Sequence, residues 1–268
     1  MDSVGLLAGV GRLPVEFAAA ARRMGLKVFT VALLDDVDQD LQHIVKGYAK
    51  INIAKLNEII TFLKENNIKK VTMLGKVTKE LLFNGQHDKI DTRMLKVLSS
   101  VPDTNDDTLM LAFVQELAEE GIEVLDQTAL LKLLMPKTGI LSKREPTAAE
   151  IDDIKFGFFV AKKLGGLDIG QTVVVKNKAV MALEAIEGTD ACILRGGALA
   201  RNGAVVVKTA KPNQDNRFDI PAVGEKTIES MLAVKASVLA IEAEKTIIVD
   251  RKKVIALADD NGIAITVI

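Results

Sequence analysis

The chain has 268 residues, 49% of them hydrophobic and 26% charged, a balance that suits an ordinary globular protein with one large domain or two smaller ones. Lys plus Arg (35) and Asp plus Glu (36) cancel to a formal net charge of -1, which argues against nucleic acid as a bulk electrostatic partner. Cys192 is the only cysteine, so neither an intrachain disulfide nor a cysteine-rich zinc site can form, and two histidines are too few for a histidine-rich metal cage.

The opening residues Met1, Asp2, Ser3 and Val4 lack the basic start of a secretory signal, and no apolar run reaches the ~18–20 residues that span a bilayer. Both features predict a cytoplasmic protein. Residues 4–8 read as a buried strand, broken by Gly9, Val10 and Gly11. Pro14 suits the first turn of a helix, where its missing N–H costs nothing, and Gly25 ends that helix. A strand is predicted over 27–33, an amphipathic helix over 55–66 and a strand over 70–74 that stops at Gly75. Helices follow at 78–83, 92–98 and 106–120, with Asp103, Thr104 and Asn105 as N-cap candidates, then a strand at 122–125. Strands alternating with helices predict a parallel sheet covered on both faces, with ligands at the carboxyl ends of its strands.

The polar, turn-rich stretch 136–146 marks a linker between an N-terminal domain, 1–135, and a C-terminal domain, 147–268. Beyond it, Thr147 and Glu150 form a capping box for a helix over 147–164. Residues 172–176 and 179–183 form a hairpin around Asn177. Further strands are expected at 191–194, 204–208, 238–242 and 246–249, and a helix near 227–236. The second domain is thus a mixed α/β layer.

Four segments carry chemistry-bearing residues. Gly9 to Pro14 follows a strand and opens a helix, a setting where backbone N–H groups meet phosphates, although it also reads as a plain strand-to-helix turn. Pro14 stands where a dinucleotide fingerprint needs its third glycine, which speaks against a dinucleotide oxidoreductase. Residues 208–221 gather Lys208, Lys211, Asp215, Arg217 and Asp219 into an extended loop between two prolines. Such a mixture serves phosphoryl chemistry, in which cations neutralise phosphate oxygens while carboxylates hold Mg²⁺ or orient water; it also matches a solvated, self-neutralising charge run. Glu187, Gly188, Thr189 and Asp190 sit between two expected strands, and Arg195, Gly196 and Gly197 read as a phosphate-facing loop or another turn. Gly75 and Lys76 close a strand, while capping accounts for Asp106 and Asp107, and His43 and His87 read as surface residues. Neither a P-loop nor a serine-hydrolase elbow is present, so if the chain hydrolyses phosphoanhydrides it must use carboxylates with a hard cation such as Mg²⁺.

Taken together, residues 9–14 (GVGRLP), 74–83 (LGKVTKELLF), 168–176 (DIGQTVVVK), 187–197 (EGTDACILRGG) and 207–229 (VKTAKPNQDNRFDIPAVGEKTIE) resemble the LpxI family of UDP-2,3-diacylglucosamine pyrophosphatases. The resemblance spans essentially the whole chain. It implies a Rossmann-like N-terminal domain, a mixed α/β catalytic domain and an active site in the cleft between them. It also implies Mg²⁺-dependent hydrolysis of UDP-2,3-diacylglucosamine to UMP and 2,3-diacylglucosamine 1-phosphate in lipid A synthesis. The family's R-x-D-x-P-x-[IV]-G pattern is matched by Arg217, Asp219, Pro221, Val223 and Gly224, which gives Asp219 the critical role. Lys208, Lys211 and Arg217 are expected to assist it, and Asp219, Asp190 and Glu187 to hold the metal. Substrate contacts are expected from Gly9, Gly11, Arg12, Leu13, Gly75, Lys76, Gln171, Gly188, Thr189, Arg195 and Asp215. Peripheral contact with the inner face of the inner membrane and a homo-oligomer are both compatible with this reading. The rivals are a non-catalytic sugar-nucleotide or lipid-binding protein and a nucleotide-sugar phosphotransferase.

Overall fold

The computed structural model describes residues 2–77, 90–101, 106–126, 131–132, 135–212, 217 and 220–268, without the side chains of 106 and 107. The helix expected at 78–83, the caps at 103–105, His87, Asp215 and Asp219 lie outside the described residues. The chain falls into two units: the first holds the described residues up to 126 together with Arg217, and the second the other described residues from 131 onward.

In the first unit, alternating apolar runs and amphipathic stretches give an all-parallel five-stranded sheet. Its strands are β1 (Ser3–Ala8), β2 (Lys27–Ala32), β3 (Gly47–Lys50), β4 (Lys70–Leu74) and β5 (Glu123–Val124), in the order β3-β2-β1-β4-β5. Central β1 is buried from Val4 onward, as expected of a strand covered on both faces. The helices are α1 (Leu13–Arg23), α2 (Leu41–Ile44), α3 (Leu56–Glu65), α4 (Thr92–Ser100) and α5 (Asp106–Glu119). Pro14 lies in the first turn of α1, and Gly25, at φ 78°, follows its end. Leu56, Ile59, Ile60 and Leu63, at helical spacing, form the buried face of α3. Asp91 caps α4 by accepting from Met94 N–H at 2.8 Å and also accepts from Asn57 N–H in α3 at 2.6 Å. The short α2 and β3 were not foreseen; β3 is only half-buried, so its sequence carries no core pattern.

The second unit is built on a mixed six-stranded sheet in the order β6-β13-β11-β9-β7-β8. These are β6 (Gly139–Ile140), β7 (Thr172–Lys176), β8 (Ala179–Leu183), β9 (Val205–Lys208), β11 (Val238–Ile241) and β13 (Ala264–Val267); β10 (Ala222–Val223) pairs separately with β12 (Ile247–Ile248). β9, β11 and β13 run parallel, while β7, β8 and β6 join antiparallel. Its helices are α6 (Ala148–Gly166), α7 (Thr189–Ala200), α8 (Glu225–Ala233) and α9 (Arg251–Asp260). Alternate residues of the strands feed two cores. Val205, Val207, Val238 and Ala240 pack with Ile154 of α6, whereas Val174, Val206, Leu239 and Ile241 pack with Ile193 of α7, Met231 of α8 and Val254 of α9. The hairpin turns at Asn177 and Lys178, both at positive φ. The capping box is formed as expected, with Thr147 N–H donating to Glu150 Oε2 at 2.8 Å and Glu150 N–H to Thr147 Oγ1 at 3.3 Å. Within 136–146, Gly139–Ile140 pairs with β13, and Arg144 donates to both Glu150 oxygens at 2.6 and 2.8 Å.

One expectation is corrected. Residues 191–194 are not a strand, and Arg195, Gly196 and Gly197 are not a loop; all lie inside α7. The two glycines are buried for packing. A Cβ at Gly196 would lie 2.6 Å from Val174 Cβ, and one at Gly197 would lie 2.1 Å from Val234 Cγ2. Their lack of side chains lets α7 lie close against β7 and the end of α8. Gly197→Ala gains about 1 kcal/mol of helix propensity but forces a methyl into a stiff β-branched neighbour, and overpacking of that kind costs about 1–3 kcal/mol. The variant should therefore unfold at lower urea concentration than wild type; an unchanged or raised midpoint would show that α7 can shift outward freely.

Candidate active site

The strand order of the first unit reverses between β1 and β4, and ligands of open α/β sheets gather outside the carboxyl ends of strands at such a point. A glycine follows each strand there, Gly9 after β1 and Gly75 after β4. Gly9 N–H donates to Leu74 O at 2.8 Å, and Val10 and Lys76 exchange N–H···O bonds of 2.9 and 2.8 Å. The two backbones cross so closely that a Cβ on Gly9 would sit 2.6 Å from Lys76 O, and one on Gly75, itself at φ 93°, 2.7 Å from Gly9 C. This crossing alone accounts for both glycines. Gly11, at φ 113°, faces open space, and Leu13 opens α1. Arg12 Nη1 reaches Asp40 at 2.5 Å and Asp38 at 2.9 Å, and those hydrogen bonds raise its pKa further above an already high value. Burial opposes ionisation of Asp38, but the Arg12 and Asp40 N–H hydrogen bonds outweigh it and lower its pKa. Lys76 is exposed beside the crossing.

The second unit gathers polar groups at one end of its sheet. β9 runs through three buried valines to Lys208, which is only 6% exposed and lies opposite Thr172 of β7. Lys208 Nζ donates to Thr189 Oγ1 and to Ala222 O, each at 2.9 Å. Thr189, the first residue of α7 after Gly188 (φ 81°), donates in turn to Glu184 Oε1 at 2.9 Å. Gln171 N–H donates to Glu184 Oε2 at 3.3 Å, and the Gln171 side-chain oxygen is buried without a hydrogen-bond partner among the described residues. Gly170 lets this segment approach, since a Cβ there would lie 2.2 Å from Glu184 O.

The stem of the charged loop is gripped on the opposite face of the sheet. Thr209 N–H donates to Gln171 O at 3.0 Å, and Ala210 N–H to Glu242 Oε2 at 2.8 Å. Lys162 of α6 donates to Ala210 O at 2.8 Å and pairs with Glu242 at 3.1 Å; Lys245 reaches the other Glu242 oxygen at 2.9 Å. Lys211 pairs with Asp168 at 2.7 Å. Burial resists ionisation of Glu242, yet hydrogen bonds from Lys245, Ala210 N–H and Lys162 hold its carboxyl below the usual glutamate range.

Among the other expected residues, Arg195 pairs with Glu187 and donates to Leu183 O at 2.8 Å; the pair holds the Glu187 carboxyl below its ordinary value. Asp190 lies 3.6 Å from Lys226. Burial and then the Glu184 charge push the Cys192 thiol up to about 12, so it is a neutral packing group rather than a nucleophile. Among the described residues no three His, Cys, Asp or Glu side chains converge as a metal cage.

Two domain models cover nearly all of the chain: the LpxI N-terminal domain matches residues 3–134 and the LpxI C-terminal domain residues 137–266. The chain belongs to the LpxI family. A relative from Caulobacter vibrioides, described as the UDP-2,3-diacylglucosamine pyrophosphatase LpxI, is 32% identical over 272 residues, spanning 98% of this chain and 96% of its own. Solved structures overlap far less. N5-carboxyaminoimidazole ribonucleotide synthetase from Thermotoga maritima is 15% identical, over 70% of this chain and 42% of its own, at a TM-score of 0.27. Biotin carboxylase from Campylobacter jejuni is 13% identical, over 74% and 42%, at 0.28. The chain spans less than half the length of either structure, and overlap that weak carries no argument.

In this member of the LpxI family, the expected residues fall into two groups. Gly9, Gly11, Arg12, Leu13, Gly75 and Lys76 share the carboxyl end of the first sheet. Lys208, Thr189, Gln171, Gly188 and Asp190 lie with Glu187, Arg195 and Lys211 around one end of the second. Arg217 is assigned to the first unit. Sequence reasoning missed Glu184, Glu242 and Lys162. The first two share a detectable signal: like Lys208, each is a charged residue that directly ends an apolar strand.

Since Glu242 ionises more readily in the folded chain than in the unfolded one, it contributes stability above the ordinary glutamate range and loses it as pH falls through the lower folded value. Glu242→Gln should destabilise the protein at pH 7, by about 3–5 kcal/mol for a buried pair broken on one side. The gap to wild type should narrow as pH drops below about 4. Urea unfolding at pH 7 and in mild acid measures it; a gap that does not change with pH would remove the ion pair as its cause.

Proposed function

We propose that this protein is a hydrolase of lipid A synthesis that cleaves the diphosphate of UDP-2,3-diacylglucosamine, releasing UMP and 2,3-diacylglucosamine 1-phosphate. The observation that carries this reading is the full-length similarity to the Caulobacter vibrioides pyrophosphatase. The buried ammonium of Lys208, bound to Thr189 Oγ1 and Ala222 O, suits an anionic substrate, and the Cys192 thiol, pushed up to about 12 by burial, is no nucleophile for it. In this reading the first unit is Rossmann-like.

The reaction forms one bond from a water oxygen to phosphorus and breaks the bridging P–O bond, the water's proton passing to solvent, with Asp219 as the critical carboxylate, metal ligand or water-orienting group. Lys208, Lys211 and Arg217 neutralise charge that builds on the phosphoryl oxygens. Asp219 and Asp190 would hold Mg²⁺, since carboxylate oxygens suit a hard cation and Asp190 is only loosely engaged by Lys226 at 3.6 Å. Glu187, the third expected ligand, is committed to Arg195 and would have to leave that pair to join them. Magnesium, when bound, supplies Lewis-acid neutralisation at the phosphoryl oxygens. The glycine crossing and Lys76 would meet the nucleotide or the sugar.

No helix among the described residues is long and apolar enough to cross a membrane. The proposal includes a cytoplasmic enzyme that meets its lipid substrate by peripheral contact with the inner face of the inner membrane, and it is compatible with a homo-oligomer.

Incubation with UDP-2,3-diacylglucosamine should release UMP and the sugar 1-phosphate without any acceptor, and a chelator should stop the reaction until magnesium is restored. Asp219→Ala should lower UMP release by ~10²–10⁴-fold, the scale of a lost catalytic carboxylate, with circular dichroism unchanged. Turnover at the wild-type rate would overturn the assignment of Asp219.

A further inference from the structure

α7 carries two stripes along its length. Cys192, Ile193, Gly196, Gly197 and Ala200 are buried against the sheet and the end of α8. Ala191, Leu194, Arg195, Ala198 and Leu199 form the other side, at the i, i+3, i+4, i+7, i+8 spacing of a helix face that packs, and all five are exposed. Leu194 is 42% exposed and Leu199 64%, and Ile186, just before the helix, is fully exposed. The other two helices on this face of the sheet have ordinary solvent sides. α8 turns Lys226 and Glu229 outward, and α9 turns out Arg251, Lys252, Lys253 and Asp260. A helix that is apolar nearly all round belongs inside a core or an interface.

The charges around the exposed stripe indicate what covers it. Its one charged residue, Arg195, is paired with Glu187, and Asp190 in the first turn lies 3.6 Å from Lys226. In a two-fold interface each group near the axis meets its own copy, so an unneutralised charge there would face a like charge. A stripe whose charges are already paired avoids that cost, whereas an anionic lipid surface or a charged peptide calls for an excess of the opposite sign. The side chains also complement themselves. Ala191 and Ala198 leave a hollow on either side of Leu194 along the helix, where the leucines of an identical helix can seat. Arg195 donates to Leu183 O at 2.8 Å, capping a carbonyl of β8, the last strand of the sheet, so the helix face rather than the strand edge is offered. We propose that α7 is a self-association face, packed against the α7 of a second copy of this chain about a two-fold axis. Such a dimer is independent of the diphosphate chemistry above.

The test is sedimentation equilibrium of the full chain over roughly a hundredfold range of concentration, with circular dichroism as the check on folding. Wild type should reach the mass of two chains at the upper end and shift toward one chain on dilution. Leu194→Asp should raise the dimer dissociation constant by at least about tenfold, because it sets two carboxylates against each other near the axis. Leu199→Asp should act in the same direction. Leu167→Asp, which alters an exposed leucine just past α6, should leave the constant unchanged. A wild type that stays a single chain throughout, or a dimer left intact by folded Leu194→Asp and Leu199→Asp, overturns the proposal. Co-sedimentation of a single-chain wild type with phosphatidylglycerol vesicles, lost in Leu194→Asp, would assign the stripe to a lipid surface instead. If neither aspartate variant folds, oxidative cross-linking decides. Cys192 is buried, so Ala191→Cys and Ala198→Cys each supply an exposed thiol on the stripe. At least one should form a reducible dimer faster than the control Leu167→Cys, and equal rates in all three overturn the proposal.

Discussion

A lysine side chain withdrawn from water must find oxygen acceptors for its protons, or the loss of hydration outweighs what packing gains. Lys208 meets this constraint at the end of β9, after three valines with no exposure at all. Each acceptor arrives by a different route. Thr189 is delivered by the start of α7, whose buried face packs through Cys192 and Ile193, and Ala222 O by the short strand β10. The polar end of this sheet is thus a consequence of how its apolar middle is packed.

The same strand end is held from its other face by separate chemistry. Glu242 and Lys162 seize the N–H and C=O of Ala210, two residues beyond Lys208. Because successive side chains of a strand point to opposite faces, α6 supplies the grip on one side and α7 the partner on the other.

What could be read from the sequence was local. Helical spacing marked α3, the Thr147–Glu150 pair marked the start of α6, and Asn177 marked the hairpin, because each signal involves residues a few positions apart. The parallel character of the first sheet also followed, from strands alternating with helices. Misreading came where glycine does something other than turn the chain. Gly196 and Gly197 look like a break, yet they serve a helix pressed against Val174 and Val234, neighbours that only the folded chain supplies. For the site, the cations and hydroxyls near Lys208 were legible as residue types, but the Glu242–Lys162 contact joins positions 80 residues apart and leaves no trace in local pattern. Glu184 was passed over because one acid after a hairpin resembles any surface charge.

The crossing of Gly9 and Gly75 ties together two codons far apart in the gene. A side chain at either position strikes the opposite main chain, so enlarging one residue cannot be offset by trimming the other, which is already as small as an amino acid can be. Ordinary compensatory substitution is closed to this pair. Drift at the rim of the first sheet is therefore left to Val10 and Lys76, whose side chains are exposed, while Gly11 is held by its positive φ and the knot beneath them stays as it is.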